Sequence, residues 1–489
     1  MINNDFKKIF KLINKNRTIH FIGIGGSGMS AIARILLERG YKVVGSDLKE
    51  SINTVRLKGF GAKIYYEQSA ANLREAGLVV VSTAIKKDNP ELLKAKDMGI
   101  AILRRAEMLS YLMNKFTKKI SIAGTHGKTT TTSMITKILT SAKKEPTYLI
   151  GADMNEYNGN AALGKGDYFI AESDESDGSF LCLEPNIGVI TNIEAEHMNY
   201  YGDLKNLLGH FQAFIDGILM RDGYLVVNID DPNVLGLIKD IPKEKVVTFS
   251  FNKDSNAHII AKDLGFSTSG SSFTLMHRKG SQELKLRVYG KHNIANALAA
   301  IGVAMKENVP LGTICESLAK FSGTRRRFQF MGEVEGIKVF DDYAHHPTEI
   351  AATLEGAKKH LKKRIICIFQ PHRYTRTINL ADEYVHAFKH ADIAILTEIY
   401  AANEINSKNI SAKMIINKMK KKEINNISFI PIKSKIAAEL IKDLKKNDVV
   451  ITMGAGDIHT VAKEIIVRLK QRNLNLVGGA GLEPATPCL

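Results

Sequence analysis

The sequence contains no tryptophan, and aromatic residues occupy only 7% of its 489 positions. That leaves little material for the successive stacking rings on which single-stranded nucleic acid binders depend. Cysteine is scarce as well: Cys182, Cys315, Cys367 and Cys488 are scattered, with neither C-x-x-C nor metal-ligand spacing. A disulfide framework is therefore not expected, and a reducing cytoplasm is. Apolar runs are short, strand-length pieces such as residues 77–81, whereas a membrane helix needs roughly 20 consecutive apolar residues. The opening MINNDFKKIFKLINKN has no apolar core with a small-residue cleavage site, so it does not read as a secretory signal.

What is present is ordinary for a folded chain: 44% hydrophobic and 24% charged residues, which sets aside collagen, a disordered polyelectrolyte and a coiled coil. At about 150 residues per domain the length suggests roughly three domains. The formal net charge is +17. Lysines are spread over every third of the chain, with only short clusters such as residues 418–423. The pattern reads as a surface preference for lysine rather than a nucleic-acid footprint.

Strand-like runs alternate with helix-period segments almost throughout, which predicts α/β domains with mainly parallel sheets. A first module starts with the strand at 18–26 and helix at 27–40, followed by strands at 41–47 and 77–83. A second starts at 119–124, continues through 167–172 and 187–193, and carries an antiparallel extension over about 257–290. A third has strands at 335–342, 364–370, 391–398 and 447–456 and an amphipathic helix at 457–470. The expected boundaries are 1–116, 117–322 and 323–474: a Rossmann-like domain, a P-loop ATPase-like domain and a second Rossmann-like domain. Residues 475–489, where lysine gives way to Gly, Ala and Pro, read as a disordered tail.

Gly23, Gly25 and Gly28 form G-x-G-x-x-G between the first strand and its helix, with Gly26 and Ser27 inside the turn and Asp47 ending the next strand. Such glycines let backbone amides and a helix N-terminus approach a diphosphate. The motif does not name its ligand, since NAD and a nucleotide-sugar diphosphate would satisfy the same donors.

The strongest local signal is GTHGKTTTTSM at 124–134. Gly124, Thr125, His126, Gly127 and Thr130 would cradle phosphates, Lys128 would reach the terminal ones, and Thr129 would hold magnesium. Ile122 stands where the strict motif has its first glycine. Two strand-end segments offer metal ligands: AESDESDGSF (171–180), with Glu172, Asp174, Glu175 and Asp177, and TNIEAEHMNYYG (191–202), with Glu194, Glu196 and His197. Glu172 and His197 are the preferred candidates.

Together GTHGKTTT, ESDESDGSF, TNIEAEH, GKHNIANALAA (290–300), GTRRRF (323–328), DDYAHHPTEI (341–350) and FQPHRYTRT (369–377) resemble the Mur ligases over about residues 18–470. The resemblance implies ATP-driven amide synthesis on a cell-wall precursor, UDP-N-acetylmuramate, with Mg²⁺ and an acyl-phosphate intermediate that L-alanine resolves. It places the uridine diphosphate on the first glycine motif. It places the adenine side on His292, Asn293 and Asn296, whose amides can both donate and accept. It puts Arg326 or Arg327 near the transferring phosphoryl, with Arg325 also open. It puts Tyr343 and His345 beside the acyl acceptor, His345 with a catalytic role. It gives the alanine carboxylate to His372, Arg373 and Arg376.

Two departures stand out. Glu196 replaces the usual Asp before the histidine, and Gln212 stands where later-acting siblings carry a modified lysine, so no lysine carbamate is expected. A recycling ligase adding a preformed tripeptide to the same nucleotide sugar is the nearest alternative. It is expected to differ at ESDESDGSF and PHRYTR, which are intact here. An NAD dehydrogenase leaves the phosphate loop without a use. A monomer or weak homodimer without nucleic-acid or membrane partners is expected.

Overall fold

A computed structural model describes residues 6–478, except 155, 158, 268, 269, 279, 403 and 408. The structure is α/β with three sheets. They fall into two compact units, one holding the first two sheets and the other the third.

The first sheet comprises β1 (Thr18–Ile22), β2 (Lys42–Ser46), β3 (Lys63–Tyr65), β4 (Ala76–Val81) and β5 (Ile102–Arg104) in the order β3-β2-β1-β4-β5, all pairs parallel. Helix α1 (Ser27–Glu38) buries Ile32, Ile35 and Leu36 on its core face and stops at Gly40, whose φ of 81° is the left-handed ending that glycine adopts without strain. Helix α2 spans Ile52–Gly59, α3 Pro90–Asp97 and α4 Arg105–Met113. The strand order reverses beside β1, which opens a crevice at its carboxyl end, where ligands of such sheets bind.

The second sheet begins with β6 (Lys118–Ala123), which feeds helix α5 (Lys128–Ser141). It continues through β7 (Thr147–Leu149), β8 (Ala161–Ala162), β9 (Tyr168–Glu172), β10 (Ile187–Ile190), helix α6 (Leu204–Leu219), β11 (Tyr224–Asn228) and β12 (Val246–Ser250). It is extended by β13 (Ile259–Ser267), β14 (Gly270–His277) and β15 (Gly280–Leu286). The spatial order is β15-β14-β13-β12-β11-β10-β6-β9-β7-β8. β13 runs parallel to β12, and its connections onward to β14 and β15 are short enough only for antiparallel neighbours, so the expected extension forms. Because β6 lies between β9 and β10, the loops leaving all three emerge side by side. Helices α7 (Lys291–Lys306) and α8 (Leu311–Lys320) complete this part. A single core joins the first two sheets: Leu149, Ala161, Phe169 and Ala171 pack in one cluster with Ile32, Ile35 and Leu36 of α1.

The third sheet contains β16 (Gln329–Val334), β17 (Ile337–Asp342), β18 (Ile365–Phe369), β19 (Ile393–Leu396), β20 (Ile427–Phe429) and β21 (Val449–Met453), in the order β16-β17-β21-β18-β19-β20. Helix α9 (Pro347–Leu361) follows β17 and α10 (His459–Gly478) ends the described chain. Strand β16 pairs antiparallel with β17 and escapes the sequence reading. Its alternation is broken by Gly332 at φ 156°, where the register shifts. Strands β11 and β12 were not singled out either. Helix α10 overruns the expected end at 470 and carries the chain through Gly478, so residues 475–478 of the expected tail are helical. Residues 479–489, Cys488 among them, lie outside the described residues.

Candidate active site

In the first crevice, Gly23 has φ 81°, a conformation costly for other residues. The amides of Gly23 and Ile24 both donate to the Ser46 carbonyl, at 2.9 and 3.0 Å. The Gly25 amide donates to the Asp47 carboxylate at 2.7 Å and the Leu48 amide at 2.8 Å, so Asp47 shapes the loop that it was expected to accompany. A Cβ on Gly25 would come within 2.8 Å of Asp47 Oδ2, and one on Gly28 within 3.1 Å of Arg105. Gly26 caps α1 without any side-chain hydrogen bond, which leaves first-turn N–H groups available to an anion. Ser27 Oγ donates to the Gly151 carbonyl at 2.8 Å.

The second loop leaves β6 at Gly124. Ile122 is fully buried in that strand, so the position occupied by glycine in the strict motif is core here, and the turn is supplied by Gly124 (φ 126°) and Gly127 (φ 84°). Neither tolerates a side chain: a Cβ would lie 2.2 Å from Thr191 Oγ1 at Gly124 and 2.3 Å from Asn296 Oδ1 at Gly127. The loop is held from the end of β10. The His126 amide donates to Asn192 Oδ1 at 2.9 Å, its carbonyl accepts Thr191 Oγ1 at 2.6 Å, and Thr125 Oγ1 accepts the Glu194 amide at 2.8 Å. His126 Nε2 lies 3.4 Å from Glu194 Oε2.

Lys128 Nζ donates to the carbonyls of Gly124 (2.5 Å) and Thr125 (3.0 Å) and to Glu175 Oε1 (2.8 Å). Burial alone would lower its pKa, but Glu175 outweighs that and holds it above the ordinary lysine value. Glu175 is itself pushed up to about 7, by burial against the opposing pull of Lys128. Among the described residues its Oε2 finds no hydrogen-bond partner. Thr129 Oγ1 donates to Glu172 Oε2 at 3.0 Å, and Thr130 is buried on the first turn of α5.

The expected metal trio divides. Thr129 and Glu172 form one pair, whereas His197 joins Glu175 and Glu196, whose ligand atoms lie within 4.8 Å of one another. His197 Nε2 is 3.7 Å from Glu175 and 3.8 Å from Glu196, and its backbone sits at φ 59°. A buried carboxylate oxygen without a donor, next to a carboxylate–imidazole group, suits a hard divalent cation. Glu175 is the residue that sequence reasoning underweighted, because four acids in one loop give no sign of which one turns inward. Gln212 lies on the outer side of α6, away from its buried face of Leu207, Phe211, Phe214, Ile215 and Ile218, and donates to Asp216 at 2.8 Å.

Asn293 and Asn296 are buried on α7 and His292 is exposed at its start. Asn296 Oδ1 accepts Thr131 Oγ1 at 3.2 Å and its Nδ2 donates to Asn293 Oδ1 at 3.2 Å. The Asn296 amide packs against Gly127.

In the other unit, loops at the carboxyl ends of β17, β18 and β21 converge. Arg326, at φ 61°, donates to Asp341 Oδ2 (3.1 Å) and to the Gly454 carbonyl (2.6 Å). Arg327 lies 3.7 Å from Glu349, and both guanidinium groups sit just over 5 Å from the centre of the Tyr343 ring, at 5.1 and 5.2 Å. His345 Nδ1 approaches the Tyr343 carbonyl at 3.1 Å and Glu349 at 3.4 Å. His346 caps α9 in a reciprocal arrangement with Glu349. His372 lies parallel to the Tyr400 ring, centroids 5.6 Å apart, with Arg376 Nη1 3.3 Å from its Nδ1. Burial, with His345, Arg376, Arg373 and Arg326 adding to it, lowers its pKa to about 3, so the ring is neutral. Arg373 sits at φ 72°. Glu349 lies inside DDYAHHPTEI but carries no sign there that it pairs with His345 and Arg327, and Tyr400 was missed because it lies outside the motif it supports.

Three family models cover the chain in sequence: Mur ligase family, catalytic domain, at 18–117; Mur ligase middle domain at 122–304; and Mur ligase, glutamate ligase domain, at 326–456. A UDP-N-acetylmuramate–L-alanine ligase from Pelotomaculum thermopropionicum is 42% identical over 460 residues, covering 94% of this chain and 99% of the relative. One from Clostridium novyi is 42% identical over 453 residues, covering 92% and 98%. The crystal structure of the UDP-N-acetylmuramate–alanine ligase of Thermotoga maritima matches with a TM-score of 0.79 at 31% identity, over 93% of this chain and 99% of that one. A murein peptide ligase from Psychrobacter arcticus matches at 0.69 and 26%, over 93% and 98%. With both glycine loops, the inward carboxylates and the arginine–histidine cluster in place, the chain belongs to the Mur ligase family.

Proposed function

We propose that the chain is an ATP-dependent ligase that joins L-alanine to the carboxylate of UDP-N-acetylmuramate, in the cytoplasm, during synthesis of peptidoglycan precursors. The carboxylate oxygen attacks the γ-phosphorus and ADP leaves, giving an acyl phosphate. The alanine amine then adds to the acyl carbon, and the tetrahedral intermediate expels phosphate. The observation that carries this reading is the Lys128–Glu175 pair at the mouth of a phosphate loop, set beside a second, independent glycine loop in the same unit.

In this reading Lys128 exchanges its carbonyl partners for phosphate oxygens, and the first-turn amides of α5 take the remainder of the negative charge. Thr129, Glu172, Glu175, Glu196 and His197 would hold Mg²⁺, which when bound neutralises charge on the triphosphate. Asn293 and Asn296 face the adenine side. The first loop takes the uridine diphosphate through the first-turn amides of α1, which no side chain caps. Arg373 and Arg376 supply planar forks suited to an amino-acid carboxylate, next to a neutral His372, and Arg327 is the more available of the two hinge arginines, since Arg326 is tied to Asp341 and Gly454. The three described cysteines are free thiols, which supports a reducing compartment, and among the described residues no helix is long and apolar enough to cross a membrane. Boundaries near 117 and 323 divide the three modules.

Alanine is favoured over a tripeptide by the 42% identity to alanine-adding relatives against 26% to the murein peptide ligase. Purified protein with ATP, Mg²⁺ and UDP-N-acetylmuramate is expected to release phosphate when L-alanine is added. Turnover with the free tripeptide and none with alanine would transfer the assignment to the recycling reaction.

A further inference from the structure

Between the two glycine loops lies a continuous set of protein hydrogen bonds. Strands β7 and β8 form a short antiparallel pair, Tyr148 opposite Ala162 and Leu149 opposite Ala161. Beyond it the Ile150 amide donates to the Asn160 carbonyl at 2.8 Å, so Gly151 and Asn160 project together from one end. Gly151 faces both ways. Its carbonyl accepts Ser27 Oγ of the first loop at 2.8 Å, while its amide donates to Glu172 Oε1 at 2.5 Å. The other oxygen of Glu172 accepts Thr129 Oγ1 at 3.0 Å. Asn160, 7% exposed, holds this pivot with one Nδ2 group, which reaches Ser27 O, Ser27 Oγ and Ile150 O at 3.1 Å each. A Cβ on Gly151 would lie 2.8 Å from Glu172 Oε2 and 3.1 Å from Thr129 Oγ1, so the backbone approaches the carboxylate as closely as glycine allows.

From this geometry we infer that Asn160 is a positioning residue that couples the two loops. A diphosphate seated on the first loop fixes Ser27, whose Oγ passes that constraint to the Gly151 carbonyl while Asn160 clamps Ser27 to Ile150 so that the contact holds, and the Gly151 amide sets the Glu172 carboxylate beside Thr129. Occupancy of one loop then raises the affinity of the other, and by linkage the effect is reciprocal. The inference rests on the function proposed above.

The test is calorimetric titration of the full-length protein with Mg²⁺ and a non-hydrolysable ATP analogue, with and without saturating UDP-N-acetylmuramate. The unaltered protein is expected to bind the analogue at least about 5-fold more tightly when the nucleotide sugar is present. In Asn160→Ala each ligand alone is expected to bind within about 3-fold of normal, while the ratio between the two titrations falls towards one. Asn160→Asp keeps the side-chain volume, removes the donor and is expected to behave the same way, which carries the test if the alanine variant does not fold. A change of packing alone would shift both titrations together and leave their ratio intact, and that result overturns the link. Binding of both ligands to the unaltered protein with no coupling overturns it as well. No binding of UDP-N-acetylmuramate at all would overturn the functional reading together with it.

Discussion

At the scale of single residues, the site is governed by which charges are paired before substrate arrives. Lys128 is held by two carbonyls and Glu175, a pre-organised cation of the kind whose loss costs about 10²–10³-fold in turnover. Lys128→Ala is expected to lower phosphate release by at least about that factor and to leave UDP-N-acetylmuramate binding intact by calorimetry. Loss of sugar binding in the same variant would show that the two loops do not divide the ligands as proposed. His372 carries a pH prediction. Its pKa in the fold, about 3, lies below the ordinary histidine value, so the unfolded chain takes up the proton first. The neutral ring therefore adds stability that is complete above about 6.5 and is lost as pH falls from there towards 3. In His372→Gln the drop in guanidinium midpoint between pH 7.5 and pH 5 is expected to be smaller than in the parent. An equal drop would mean that the ring is not held neutral.

At the scale of elements, helix ends and strand ends do the chemistry. Helix α1 is preceded by the cap residue Gly26, which offers no side-chain cap and has room for a Cβ, the nearest neighbouring atom being 3.6 Å away. A serine would fit and would cap the first turn, a change worth a few tenths of a kcal/mol over glycine. Gly26→Ser is thus expected to raise the denaturation midpoint slightly while weakening UDP-N-acetylmuramate binding at least about 10-fold, because its hydroxyl would take amides meant for the diphosphate. Unchanged affinity would place the diphosphate elsewhere. The strands β1, β6, β9, β10, β17, β18 and β21 were legible from their short apolar runs. β16 was not, because an edge strand with a bulge at Gly332 and one exposed face has no regular alternation to read. The metal candidates were legible as a group and not as individuals. Glu172 ends β9 and Glu175 lies three positions on in the loop that follows, and only the fold turns Glu175 into a buried pair with Lys128 and leaves Glu172 to Thr129 and Gly151.

At the scale of the whole molecule, the first two sheets share a core and the third belongs to its own compact unit. Scanning calorimetry is expected to resolve two transitions. UDP-N-acetylmuramate at one hundred times its Kd should raise the stability of the transition of the two-sheet unit by about 2.7 kcal/mol. A shift of the other transition alone would place the nucleotide sugar in the wrong unit. The charge of +17 marks the surface broadly, and the chemistry instead sits in a few buried or half-buried pairs.

The sequence by itself determined the α/β class, the two glycine loops and the family, since these are local: periodicity, turn glycines and short motifs are written in consecutive residues. Tertiary structure decided which loops meet. Strand β6 lies between β9 and β10, so the acidic loop after β9 and the histidine loop after β10 flank the phosphate loop, and Glu175 meets both Lys128 and His197. Asp47 and Arg326, both half-buried, are tied to backbone and carboxylate partners for the same reason, because a charge withdrawn from water needs a partner nearby in space, and proximity in space is set by strand order.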